Sequence, residues 1–273
     1  MFTDPGKNFR MFKSLKPEKI LVSSCLGGGL LPPELGKYGE VLPYLILLGR
    51  PAAGKSELIQ FLKSLPPDER AERYHLGTIH VLDDFPILWE KFIEDDIWEK
   101  VGKGRLLSAR AEENYCVTDD FVWPFLIEKL NRAIEREPPL PGRTIVIEFS
   151  RGGEGAYRKA LARLSRRALE QGAILYVSVS FEESCRRNQA RYDRDRRDGI
   201  LTHAVPREEM ERTWRTDDWG ELAPAPAGYI HVRGLQVPYV TVTNEPEPLT
   251  PEDFSSRWQP AFEELFRLWK SRR

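Results

Sequence analysis

A chain of 273 residues with 41 Lys+Arg against 42 Asp+Glu has a formal net charge of −1, which excludes the strongly basic surface that general nucleic-acid or membrane-surface binding needs. The length allows one large or two small domains with a substantial core, and no stretch is long and apolar enough to span a bilayer. Cys25, Cys116 and Cys185 are the three cysteines; their spacing fits neither a disulfide framework nor a zinc site, so a reduced, cytoplasmic setting is expected.

Residues 1–43 contain CLGGGLLPPELGKYG, whose glycines and prolines predict an N-terminal extension rather than a packed element. Lysines precede ILVSSC there, but the apolar run before Cys25 is only Ile20 to Val22, below the roughly 7–15 residues of a secretory segment. The main domain is expected over 44–273. It opens on YLILLGRPAAGKSELIQFLK, where an apolar run of strand length passes through a glycine turn into helical spacing at Leu58, Ile59 and Leu62. The turn spells G-x-x-x-x-G-K-S from Gly49 to Ser56, the Walker A phosphate loop. Its backbone, over Gly49, Arg50, Pro51, Ala52, Ala53 and Gly54, can curl until N–H groups, which Pro51 lacks, point at phosphate oxygens at a helix N-terminus, with Lys55, Ser56 and Glu57 opening the helix. Lys55 would reach the β- and γ-phosphates of ATP, and Ser56 would ligate Mg²⁺ through its hydroxyl.

A second strand, TIHVLDDF, ends in Asp83 and Asp84. Ligands gather at the carboxyl ends of strands in open α/β sheets, so either acid could take a hydroxyl proton or hold metal-bound water; the competing reading is a helix cap. Helices are predicted over Ile87 to Lys100 and Phe121 to Arg136, the latter with an apolar stripe of Phe125, Leu126, Leu130 and Ile134. A proline-rich turn feeds a third strand, Thr144 to Phe149, placing Glu148 at its end as a candidate Mg²⁺ support. The glycine-rich loop that follows carries Arg151, suited to a second anion, and its glycines could let backbone approach a ligand closely; a plain surface connector is the alternative.

A helix from Tyr157 to Gln171 leads to a fourth strand, AILYVSVSF, and then to Arg186, Arg187, Arg191, Arg194, Arg196 and Arg197. On a helix, Arg187, Arg191 and Arg194 share one face, and guanidinium forks suit phosphate oxygens. An arginine-rich lid around 182–219 is therefore expected, against a solvated face paired with Asp193, Asp195 and Asp198. VPYVTVTNEPEP supplies a fifth strand before a C-terminal helix. Strands apolar throughout and separated by helices indicate an α/β fold, a parallel sheet of about five strands covered by helices on both faces. Of the seven tryptophans, Trp89 lies nearest the acidic strand end and could stack on a flat substrate, although a packing role is the commoner one.

This order of parts resembles the nucleoside and nucleotide kinase group of P-loop proteins. VLDDFP is similar to the D-D-F-Y of uridine-kinase-like and nicotinamide-riboside-kinase-like enzymes, which implies that Asp83 or Asp84 is the base for the acceptor hydroxyl. IEFSRGG looks like the D-G-F-P-R of nucleoside monophosphate kinases, with Arg151 at the phosphate-binding arginine and the residues before it departing. DFPILW is similar to the E-P-x-x-x-W of deoxynucleoside kinases, with Pro86 and Trp89 one residue closer together. Over residues 44 to 265 the resemblance implies a three-layer P-loop kinase architecture, ATP and Mg²⁺ as cofactors, a nucleotide contact at Asn244 in VTVTN, arginines 187 and 191 assisting transfer, and a small-molecule acceptor. No N-K-x-D base-recognition motif of a regulatory GTPase occurs. An ATP-hydrolysing switch, a nucleotide-binding protein without acceptor, and a kinase of nucleic-acid ends remain the other readings.

Overall fold

The computed structural model describes residues 40–111, 114–191 and 205–272. Six strands form the main sheet: β1 (Tyr44–Gly49), β2 (Thr78–Asp83), β5 (Arg143–Phe149), β6 (Gly172–Ser178), β7 (Ala227–Val232) and β8 (Leu235–Thr243), in the order β2-β5-β1-β6-β8-β7. The first five in that order are parallel, and β7 runs antiparallel against β8 as an added edge. β3 (Ser108–Ala111) and β4 (Asn114–Val117) make a separate antiparallel ribbon. From β1 the chain moves outward to β2, returns to β5, then crosses to β6 and β8. The topological switch therefore sits at β1, and the crevice beyond the carboxyl ends of β1 and β5 is where an open α/β sheet binds ligands. Wrapped by helices on both faces and carrying a glycine-turn loop after its central strand, this is an α/β fold with a mostly parallel six-stranded sheet.

Every residue of β1 is buried, and its alternation sorts the core into two layers. Tyr44, Ile46 and Leu48 join Ile127, Leu130, Leu161 and Leu169 on one face, while Leu45 and Leu47 join Leu58, Leu62, Trp258 and Phe262 on the other. Leu42 already belongs to the second layer, and its carbonyl accepts the Thr144 hydroxyl at 2.7 Å. The helices follow their patterns: α1 (Lys55–Ser64) buries Leu58, Ile59 and Leu62, and α4 (Val122–Arg136) buries Val122, Leu126, Ile127, Leu130 and Ile134. Phe125 departs from the predicted stripe. It is 40% exposed, with the Lys91 and Lys129 ammoniums 5.5 and 5.9 Å from its ring centroid, a cation–π setting at the surface. α2 (Pro67–Tyr74) follows α1, and α10 (Pro251–Ser271) is closed by a capping box of Thr250 and Asp253.

The helix expected over Tyr157 to Gln171 is two, α5 (Ala156–Arg163) and α6 (Arg166–Gln171), separated at Leu164, whose ψ of 150° is extended. The N-terminus of α5 is capped from far along the chain: both oxygens of Asp218 accept, from Tyr157 N at 2.8 Å and Arg158 N at 3.0 Å. α3 (Phe85–Lys100), the β3–β4 ribbon and α4 form a smaller apolar cluster of Leu88, Phe92, Val117, Val122 and Leu126. Asp95 on α3 pins the ribbon's entry, accepting from Leu106 N, Leu107 N, Ser108 N and the Ser108 hydroxyl at 2.7–3.0 Å. Those bonds hold its carboxyl below the usual range despite burial. α7 (Phe181–Arg191) follows β6; α8 (Arg207–Glu209) continues into a π-helical turn, Met210–Trp214, and α9 (Trp219–Leu222) precedes β7.

Candidate active site

The phosphate loop leaves β1 at Gly49, where φ is +146° and a Cβ would stand 2.4 Å from the Val177 carbonyl oxygen, so only glycine fits against β6. Ala52 at φ +56° and Gly54 at φ +100° alternate the backbone in the manner of an anion nest. Lys55 is 6% exposed. Its ammonium donates to Gly49 O and Arg50 O, both at 3.0 Å, and to the Ser150 hydroxyl at 2.8 Å. Glu148 Oε1 lies 4.0 Å away. Burial is the largest influence on Lys55 and lowers its pKa, with Glu148 and Asp83 opposing.

Three carboxylates face this lysine because neighbouring strands end in register: Leu47 stands opposite Glu148, and Glu148 opposite Asp83. Glu148 is raised to about 7 by burial, against the pull of Lys55, and Asp83 to about 6 by burial with the Asp84 charge adding. The two adjacent aspartates have separate surroundings. Asp83 is half-buried and takes Phe85 N on Oδ1 at 2.9 Å. Asp84 is 6% exposed and paired to Arg151, Nη1 to Oδ2 at 2.6 Å. Its side chain makes no cap on α3. Arg151 also donates to Ser150 O at 2.6 Å and Trp123 O at 3.3 Å, and its guanidinium stands 5.4 and 5.1 Å from the Trp123 and Phe149 ring centroids.

One cavity joins these groups. It is lined by Pro51 to Ser56, by Asp83, Asp84, Glu148 and Arg151, and then by Leu88, Trp89, Phe92, Tyr115, Val117, Trp123, Leu126 and Trp214. The first part is a charged cradle; the second is an aromatic chamber.

Other predicted residues stand elsewhere. Arg50 is in the loop, but its guanidinium turns behind it, to Trp214 O and Val179 O, both at 3.1 Å, and to Asp217 Oδ2 at 2.8 Å; only its backbone faces the cradle side. Asn244, expected at the nucleotide, is 2% exposed and supports the loop from below, its amide donating to Ala53 O at 2.8 Å. Arg187 and Arg191 do share an inward face. Arg187 is buried, donating to Glu183 Oε1 and to Asn244 O, both at 2.6 Å. Arg191 lines the cavity and pairs with Glu57. Arg186 faces solvent and pairs with Glu183, which is the solvated-face reading at that position. Arg194, Arg196 and Arg197, the core of the expected lid, lie outside the described residues, as do residues 1–39 of the expected extension. The glycine loop after Arg151 does admit a close approach, but by protein: a Cβ on Gly152 would meet Thr213 O at 2.0 Å. Sequence reasoning missed Tyr115, Trp123, Trp214 and Glu209 in the cavity wall and Asp217 behind it, since no local motif marks residues gathered from separate segments.

Among the described residues no group of three or more His, Cys, Asp or Glu is placed to hold a metal ion. Ser56 and Glu148, both on the cavity wall, offer hard oxygen donors of the kind Mg²⁺ takes in ones and twos when phosphates and waters complete its shell. No helix among the described residues is long and apolar enough to cross a membrane.

No protein-family model matches the chain, and no curated protein sequence does. Among solved structures, a gluconokinase from Sinorhizobium meliloti 1021 is similar over 85% of this chain and 97% of its own, at 16% identity and a TM-score of 0.44. Kti12 from Chaetomium thermophilum, solved in complex with ADP-AlF3, is similar over 82% and 99%, at 15% identity and 0.47. A shikimate kinase from Acinetobacter baumannii, in complex with shikimate, is similar over 63% and 76%, at 15% identity and 0.29.

Proposed function

We propose that this protein is an ATP-dependent phosphotransferase that moves the γ-phosphoryl group of Mg-ATP to a hydroxyl of a small-molecule acceptor. The observation that carries the reading is the single cavity in which the phosphate loop and Lys55 meet Asp83 and then open into an aromatic chamber. A plain ATPase switch has no use for such a chamber. In the reaction the acceptor oxygen bonds to the γ-phosphorus, the bond from that phosphorus to the β,γ-bridging oxygen breaks, ADP leaves, and the hydroxyl proton passes to a carboxylate.

Asp83 is the better placed base. It is half-buried on the cavity wall, and its pKa of about 6 lies near neutrality, where a base both stays ionised and holds a proton usefully. Asp84 acts through Arg151, fixing that guanidinium beside the chamber. Lys55 would exchange its carbonyl partners for phosphate oxygens and neutralise charge that develops on them. Ser56 and Glu148 would hold Mg²⁺, which when bound neutralises charge on the β- and γ-phosphates. Oriented backbone N–H groups from Ala52 to Ser56 would position the donor.

Calorimetry with Mg-ATP tests the donor half. Lys55→Met is expected to lose most of the affinity while the fold survives, checked by circular dichroism. Unchanged affinity would sink the reading. ADP formation that requires an added acceptor distinguishes transfer from hydrolysis.

A further inference from the structure

α3 turns one face inward and leaves the other bare. Leu88, Phe92 and Asp95 are its buried residues, and Leu88 and Phe92 reach the cavity. On the opposite side Glu90, Ile93, Ile97 and Lys100 follow one another at steps of three or four, the spacing of a helix seam. Ile93 is half-buried, Ile97 is 55% exposed, and Val101, just past the helix end, is 65% exposed. Trp98 is exposed as well, with the Lys103 ammonium 5.6 Å from its ring centroid. Four large apolar residues exposed among the described ones, Ile97, Trp98, Val101 and Leu106, thus fall within ten positions of the chain. Clustered apolar exposure of this kind marks an interaction surface.

The charges at the two ends of the seam select its occupant. Glu90 near the start and Lys100 at the end are exposed and form no ion pair with another described residue. Ten residues of helix put them about 15 Å apart. An anionic membrane surface or a polyanion is met by basic charge along such a face, and this one carries both signs. A second copy running antiparallel matches it: Glu90 faces the partner's Lys100, and Ile93 faces the partner's Ile97. Parallel packing would instead set Glu90 against Glu90 and Lys100 against Lys100. With a net charge of −1, two copies have little general repulsion to overcome.

We propose that this protein self-associates through α3. Two copies pack their outward seams antiparallel about a two-fold axis at the level of Asp95, with Ile93 and Ile97 at the centre and Glu90–Lys100 pairs closing both ends. Such a contact is isologous, so each pairing occurs twice. One helix pair is a small interface, and the dimer is therefore weak and dependent on concentration. None of the four seam residues lines the cavity, so the contact lies behind its wall.

Sedimentation velocity of the full chain, from about 5 to 500 μM, tests this. The sedimentation coefficient is expected to rise with concentration. Ile97→Asp, at a solvent-facing position, is expected to weaken the dimer by about tenfold or more, while its circular dichroism stays that of the parent. Glu90→Lys and Lys100→Glu should each weaken it about 3–10-fold, and the double variant, which exchanges the two charges, should return to within about threefold of the parent. A parallel pair would keep like charges opposed in all four proteins and show no rescue. A monomer at every concentration, a dimer indifferent to Ile97→Asp, or a double variant no better than the single ones would each overturn the proposal. So would a monomeric chain that pellets with anionic phospholipid vesicles and ceases to do so as Ile97→Asp, which would give the face to a membrane surface.

Discussion

The two halves of the cavity are made of different material. On the proposed reading the donor half is backbone: Gly49 to Ser56 curls through three positive-φ positions, Gly49, Ala52 and Gly54, and its one buried cation, Lys55, is satisfied by two carbonyls of the same loop and the Ser150 hydroxyl. The acceptor half of that reading is side chain: rings from α3, the β3–β4 ribbon, α4 and the π-helical turn. A backbone cradle recognises any phosphate chain of the right length and tolerates change in the side chains around it. A ring-walled chamber owes its selectivity to each side chain and is retuned by single substitutions. On the proposed reading, donor binding rests on backbone and acceptor choice on side chains that single substitutions can change.

The sharpest way to break this division is at the seam, where two adjacent carboxylates belong to opposite halves of the argument. Asp83→Asn is expected to cut acceptor-dependent transfer by about 10²–10⁴-fold, the range for losing a positioned base, with Mg-ATP affinity retained. Asp84→Asn should fail differently. It strands Arg151, which is 4% exposed, and breaking one side of a buried pair costs about 3–5 kcal/mol of stability. Thermal unfolding of both variants, alongside transfer rates, separates them. Equal loss of stability in the two would erase the distinction between base and positioning carboxylate.

A smaller effect sharpens the donor half. The Glu148 carboxyl is raised to about 7, burial being the main cause and Lys55 opposing it. In the unfolded chain it titrates near 4.3. The folded state therefore holds this proton more tightly, and stability falls as pH rises from about 4.5 towards 7 and stays lower above it. Glu148→Gln removes the titration. The variant should match the parent near pH 5 and exceed it by about 2–4 kcal/mol at pH 8 in metal-free buffer, an amount readable in urea melts. A constant difference between the two pH values would show that the carboxyl does not titrate in this window.

Legibility in the sequence follows the same division. The phosphate loop is contiguous, so eight residues and the apolar periods on either side reveal strand, turn and helix together. Asp83, Asp84 and Glu148 were visible as strand ends, and parallel pairing of β2, β5 and β1 places them side by side. The acceptor wall offered no such signal. Trp123 and Trp214 are 91 positions apart in the chain, and only the packing of α4 against the π-helical turn makes them a pair. The antiparallel β7 escaped because AGYIHV, next to an Arg-Gly turn, is a short mixed run, and the split of α5 from α6 because Leu164 fits the helical period while its backbone does not continue it. Asp218, which caps α5 from 61 residues away, is legible only once the fold exists.

Arg50 gives the mildest break and the most direct one, because it ties the halves together. It belongs to the phosphate loop by sequence, yet its side chain serves the acceptor wall: Nε holds the carbonyl of Trp214, Nη1 that of Val179, and Nη2 Asp217. Asp217 has other partners, the Tyr176 hydroxyl at 3.1 Å and Trp219 N at 3.0 Å, so it is not stranded when Arg50 goes. Arg50→Met keeps the aliphatic stem and the loop backbone while removing the fork. The cost to the fold is expected at about 1–2 kcal/mol, the scale of a charge-assisted bond with its neighbours partly compensating, or roughly 2–8 °C in melting temperature. The loop's curl does not depend on that side chain, so Mg-ATP affinity should stay within about threefold, less than 0.7 kcal/mol. Trp214 is left without its tether; Trp123 packs on it, and Arg151 in turn on Trp123. The acceptor KM should therefore rise more than the ATP KM, and Arg50→Lys, restoring the charge without the fork, should recover stability but not the acceptor KM. A rise in the ATP KM alone would put Arg50 in the donor half after all, and the seam between cradle and chamber would lie behind Trp214 rather than in front of it.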